Sequence, residues 1–217
     1  MKHTFTTSAL IVAIFLLTVA AFEPDITNAV EVQDTVLVNL QVDEGISITT
    51  PPDVTMSNMG TTLNNSTGSA VWNVKTNAAG GYELFVKATT SPALVSGSNS
   101  FADYTEAVAG TPDNFSVNAG SFEFGFSGIG ADVQNVLSDQ YAATGVTTCD
   151  DGAASSTVNT NLKFLGFETD NQLLARKTST TTTSGVDSKI CFAAGQNGVF
   201  APSGVYQATI TATAVTL

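Results

Sequence analysis

Ser69 stands six residues before Lys75, and Ser184 five before Lys189. Neither spacing makes the Ser-x-x-Lys arrangement in which a lysine amine serves as base to a serine nucleophile. The chain's one histidine, His3, falls in a segment that reads as a leader, so the exported part is expected to carry no imidazole. Without one, neither a Ser-His-Asp relay nor a His-ligated zinc can be built. Paired carboxylates remain, because glycoside cleavage needs only two acids at a set separation. With 19 acidic residues in the chain, a His-free glycosidase stays open as a minor reading, but the chain is read as a non-enzyme. Asp150-Asp151-Gly152 and Glu168-Thr169-Asp170-Asn171 are oxygen-rich, yet neither has the alternating acid spacing of a calcium loop. Both are read as solvated turns, whether calcium binds is left open, and no cofactor or metal site is assigned.

Cys149 and Cys191 are the only cysteines, and both follow the leader. In an oxidising compartment such a pair, with no histidine to share a metal, is expected to form a disulfide. The chain-entropy model gives such a bridge roughly 4 kcal/mol as an upper figure. Asn64, Asn65 and Asn114 each open an Asn-x-Ser/Thr triplet, which accepts glycan only in a host with that machinery. Trp72 and the Phe122, Phe124, Phe126 stripe would suit a sugar platform, but at strand spacing they read as core.

Lys2 and His3 precede an apolar run over residues 9–22, interrupted only by Thr18. The run is too short to span a bilayer comfortably. Pro24 and then Thr27-Asn28-Ala29 follow it, which places small residues three and one positions before a cut after Ala29. Residues 1–29 are therefore read as a secretory signal peptide. A cut after Ala21 and an uncleaved anchor stay open, and the second is the only membrane contact expected. Without Lys2, Glu23 and Asp25 the whole-chain charge of −12 becomes about −11. Such acidity excludes a nucleic-acid partner, whose phosphates need a Lys/Arg footprint, and argues against docking on anionic lipid. Its plain role is solubility.

These side chains need elements to position them, and the patterning after the leader is that of strands. Val30, Val32, Val36, Val38, Leu40 and Val42 alternate with polar residues, Asp34 and Leu37 being the exceptions. Period two over residues 30–42 predicts a long strand with one buried face. It is either the first strand of its own sandwich or a donor that pairs with a neighbouring copy. Ile46-Ser47-Ile48 continues the theme until Pro51-Pro52 ends it. A hairpin is expected from residues 69–76 and 82–89, with Trp72 and Val74 facing Leu84 and Val86 across the turn 77–81. Residues 121–129 are read as a core strand with Glu123, Gly125 and Ser127 on its polar face. Further strands are expected at 161–167, 172–177, 188–194 and 204–215. The fold class is all-β, an antiparallel two-sheet sandwich of Ig-like or jelly-roll-like type, forming a single domain over residues 30–217. A long loop over residues 91–120 and a possible short helix over 131–141 complete it.

The segment from Trp72 through Asn77-Ala78-Ala79-Gly80-Gly81-Tyr82 to Val86 resembles the corresponding hairpin of WxL-like bacterial surface proteins. It is also similar to a group of exported β-sandwich proteins that end on a strand like residues 203–214. Tyr82-Glu83-Leu84 stands where those proteins carry Trp-x-Leu. The resemblance implies an exported surface sandwich and noncovalent contact with cell-wall polysaccharide. The expectation is a secreted or cell-surface structural or adhesive protein, self-associating through residues 30–42 into filaments or a surface layer, with a wall- or carbohydrate-binding module as the alternative.

Overall fold

The computed structural model describes residues 34–133, 141–142, 145–150 and 157–217. The chain divides into two units, Met1–Gln41 and Val42–Leu217. Of the first, the described part is 34–41, which has no strand and is exposed throughout. The expected leader and cleavage site, and Val30 and Val32, lie outside the described residues.

The second unit is all-β, without helix among the described residues. Its strands are β1 (Ile46–Ile48), β2 (Asn65–Thr76), β3 (Tyr82–Ala88), β4 (Val95–Ser96), β5 (Asn99–Ser100) and β6 (Ala102–Asp103). They continue with β7 (Asp113–Asn114), β8 (Ser121–Ile129), β9 (Lys163–Gly166), β10 (Gln172–Lys177), β11 (Val186–Asn197) and β12 (Ile210–Thr216). The larger sheet runs β1-β2-β11-β8-β9-β7, with β6 added in parallel to β8. The smaller sheet is β10-β3-β12, antiparallel throughout. Both are built from strands of alternating or continuous apolar residues, which bury one face between the sheets. Trp72, Val74, Leu84, Val86, Phe124, Phe126, Leu174 and Ile190 fill that space.

Three expectations need correction. First, residues 34–42 form no strand; the strand on this edge of β2 is β1, whose residues Ile46, Ser47 and Ile48 oppose Thr76, Lys75 and Val74. Apolar alternation supplies a face, but a strand also needs a partner for its backbone groups. Second, β2 and β3 are not a hairpin: they belong to different sheets, and residues 77–81 form an arch between them. Trp72 and Val74 do meet Leu84 and Val86, but across the sandwich core. The arch is shaped by Asn77, whose side chain accepts from Gly45 N and donates to the Asp43 carbonyl, and by Gly81 at φ 87°. A Cβ on Gly81 would stand 2.0 Å from the Lys177 carbonyl oxygen, so the connection requires glycine there.

Third, the polar face of β8 is not solvated. Glu123 and Ser127 are buried, as is Ile129 beside them. A second apolar cluster of Tyr104, Ile129, Ala142, Cys149, Leu162, Phe164, Cys191 and Ala193 covers this outer face. The long stretch 91–120 supplies part of the cover. Tyr104 approaches two glycines closely, since a Cβ on Gly125 would come 2.8 Å from Tyr104 Cβ and one on Gly166 2.1 Å from its carbonyl oxygen. Of the segment expected to allow a short helix, residues 131–133 form a turn and 134–140 lie outside the described residues.

Candidate functional site

Cys149 and Cys191 form the expected disulfide, with Cα atoms 5.5 Å apart. Cys191 sits in β11, the strand between β2 and β8, and its side chain points to the outer face. The bridge therefore ties the covering layer to the middle of the larger sheet. Both sulfurs are buried among apolar side chains, which makes this a structural rather than a reactive pair.

Among the described residues, the most buried charged group is Asp132, 1% exposed. Tyr82 Oη donates to its Oδ2 at 2.8 Å, and Lys177 Nζ lies 3.4 Å from its Oδ1. Its backbone carbonyl accepts from Arg176 N. Asp132, three residues past the end of β8, thus reaches both β3 and β10 of the facing sheet. Burial and then the Asp132 carboxylate raise the Tyr82 phenol above the ordinary tyrosine range. Burial does the same to Tyr104, aided by Asp113, and to Tyr141, aided by the negative charge of Glu106. Each of the three donates its hydroxyl, Tyr82 to Asp132, Tyr104 to Asp113 and the Asn114 carbonyl, and Tyr141 to the Leu173 carbonyl, so they serve as joints between elements.

Trp72 and Phe124 lie in the core, with Phe126 fully buried and Phe122 packed against it half-buried, so no aromatic platform is formed by them. Among the described residues, no three His, Cys, Asp or Glu side chains gather as a metal site. Asp151 and Gly152 lie outside the described residues, while residues 168–171 form an exposed turn closed by Gln172 Oε1 accepting from Glu168 N. Of the glycan triplets, Asn64 and Asn114 are exposed and Asn65 is half-buried. Among the described residues, no helix is long and apolar enough to cross a membrane.

The surface features that the sandwich leaves unused are of a different kind. Val36, Leu37, Val38, Leu40 and Val42 are 73–85% exposed. A second exposed group, Val199, Phe200 and Val205, lies on the loop between β11 and β12. The small sheet also has one open edge. In β12, Thr209 O and Leu217 N bond to Thr89 and Gly81, so the odd-numbered residues turn their backbone groups toward β3. Those of Ile210, Ala212, Ala214 and Thr216 point the other way, where no described strand pairs with them. The opposite edge is closed, because Arg176 N donates to the Asp132 carbonyl and Tyr141 Oη to the Leu173 carbonyl. Sequence reasoning found the apolar segment but not the edge, since which strand ends a sheet is decided by long-range pairing. Scans against protein-family models and searches of curated proteins and solved structures found no match to this chain.

Proposed function

We propose that this chain is an exported surface structural or adhesive subunit that works by associating with copies of itself. The observation that carries the reading is the run Val36, Val38, Leu40, Val42, which alternates, is exposed and belongs to no strand. A row of large apolar side chains left in water is costly at about 25 cal/mol per Å², and exposed apolar patches of this kind mark interaction surfaces. The leader-like residues 1–29, the acidic surface and the buried disulfide support a protein built for an oxidising exterior. The resemblance to WxL-like surface proteins supports the same compartment.

The test is to purify the exported chain and compare negative-stain microscopy and light scattering with retention on cell-wall polysaccharide. Oligomers or filaments formed without added ligand support the reading. A monomer at high concentration that is retained on polysaccharide overturns it in favour of a wall-binding module.

A further inference from the structure

The open edge of β12 lies beside β1, and the two strands approach each other without pairing. In β1, Gly45 O and Thr49 N bond to Asn77 and Asn73, so the backbone groups of Ile46 and Ile48 also face away from β2. Two unpaired edges therefore border one seam. Behind it β12 turns only Ile210, Ala212 and Ala214 inward, and all three remain half-buried, as do Ile46, Val54 and Met56, which pack against the same core. The strand at this edge carries small side chains where β3 carries Tyr82, Leu84 and Val86.

We propose that this seam is an acceptor site for residues 36–42 of a second copy of the chain, which pair antiparallel with β12. The proposal rests on the self-association reading above and names the surface on which it occurs. Both segments are seven residues long, so Val42, Leu40, Val38 and Val36 fall opposite Ile210, Ala212, Ala214 and Thr216. Residues directly opposite in an antiparallel pair share a face, which sets the large donor side chains beside the small inward alanines. The backbone groups of the four even-numbered residues gain partners in the same step.

The direction follows from where the chain leaves the sandwich. Asn77 clamps Asp43 and Gly45 beside the β2–β3 arch, at the end of the sandwich where β12 finishes against Gly80 and Gly81. β12 begins at the opposite end, next to the loop bearing Val199, Phe200 and Val205. A donor leaving one copy at its arch end and entering the next at its loop end runs antiparallel to β12. It also covers that loop in the junction. Such a contact is heterologous and repeats without closing, so copies join head to tail.

The test uses the full exported chain with Leu40→Cys and Ala212→Cys together, oxidised and run without reductant. The expected result is a ladder of crosslinked copies, with no ladder from Leu37→Cys and Ala212→Cys, because Leu37 has the wrong parity. Ala212→Pro removes only an outward N–H, a place where an edge strand tolerates proline, and should abolish assembly while melting stays within a few degrees of the parent. A labelled peptide of residues 34–42 should bind the monomeric Val38→Asp, Leu40→Asp chain saturably, and at least tenfold more weakly once Ala212→Pro is added. Crosslinks formed only within single chains would place the segment on its own sandwich and overturn the proposal. Assemblies that persist in Ala212→Pro and give no 40–212 crosslink would overturn the β12 acceptor while leaving self-association standing. A parent chain that stays monomeric, with a peptide that finds no site, would overturn both. The crosslink does not depend on the proline variant folding.

Discussion

Tyr82 Oη donates a 2.8 Å hydrogen bond to Asp132 Oδ2 across the sandwich, from the first residue of β3 to the turn that follows β8. The bond joins the two sheets at a point where both groups are shut off from water. Tyr82→Phe leaves the carboxylate with Lys177 as its remaining side-chain partner. A hydrogen bond to a charged group is worth about 2 kcal/mol, and the substitution should cost that much in denaturant unfolding. Asp132→Ala in the Tyr82→Phe background should then cost less than Asp132→Ala alone, and additive losses would show the two groups to be uncoupled.

Alkaline pH should unfold the protein. The phenols of Tyr82, Tyr104 and Tyr141 are held above the ordinary tyrosine value of 10.0 in the folded chain. A group whose folded pKa is raised contributes its full share below its unfolded pKa, and that share is lost as pH climbs through the folded value. Stability should accordingly be flat across neutral pH in this respect and fall above about pH 10. Phenolate absorbance from these three residues should appear together with unfolding. Gradual titration of all four tyrosines with the near-ultraviolet dichroism intact would contradict the assignment.

Reduction of Cys149–Cys191 should loosen the covering layer before the sandwich. The bridge closes a loop of 42 residues in sequence separation, for which chain entropy allows up to roughly 4 kcal/mol. With reductant, amide exchange should quicken in residues 145–150 and 157–164 more than in β2 and β3. Equal loss of protection in both sheets would mean that the layer and the sandwich unfold as one.

Phe124→Ala should cost about 3 to 5 kcal/mol, the usual range for removing a buried aromatic. Phe124 is 2% exposed and stacks on Phe167 and Phe192, so the cavity has rigid walls. Calorimetry of the purified variant measures it, and an unchanged melting temperature would place the ring outside the core.

Gly166→Ala should be more harmful than its size suggests. The new methyl would stand 2.1 Å from the Tyr104 carbonyl oxygen, forcing the covering layer away from β9. Overpacking of this kind costs about 1 to 3 kcal/mol. Chemical unfolding of the variant beside Gly204→Ala, whose new methyl meets side chains rather than backbone, Ser96 Oγ at 2.6 Å and Tyr206 Cε2 at 3.8 Å, separates close backbone approach from a general effect of glycine loss.

Local patterning carried much of this architecture. β8 and β10 occupy the residues that alternation assigned to them, 121–129 and 172–177, because a half-apolar strand bounded by turn residues has few other uses. The disulfide was legible from two cysteines behind a leader-like segment. What the sequence concealed was pairing over distance. Asn77-Ala78-Ala79-Gly80-Gly81 has turn chemistry whether its flanking strands hydrogen-bond or face each other across a core, and only the partners β1, β10, β11 and β12 decide the matter. Glu123 reads as solvent-facing because it is charged. It is buried instead, its Oε1 accepting from Asn118 N and Nδ2 and from Ser121 Oγ. The candidate interface was half legible: its apolar segment stands out, while the edge of β12 exists only once β3 has chosen its neighbours.

The clamp at Asn77 also sets how the sandwich bears mechanical load. A pull on the chain ahead of Asp43, directed along the strand axis, arrives first at the two Asn77 side-chain bonds and then at β1, which lies antiparallel to β2. Ladder bonds between antiparallel strands run perpendicular to the strands, so such a pull slides β1 along β2 and strains all of their bonds at once instead of opening them one by one. The short strand at the edge thereby resists tension as a shear joint, anchored in the sheet that the buried disulfide holds to its outer layer.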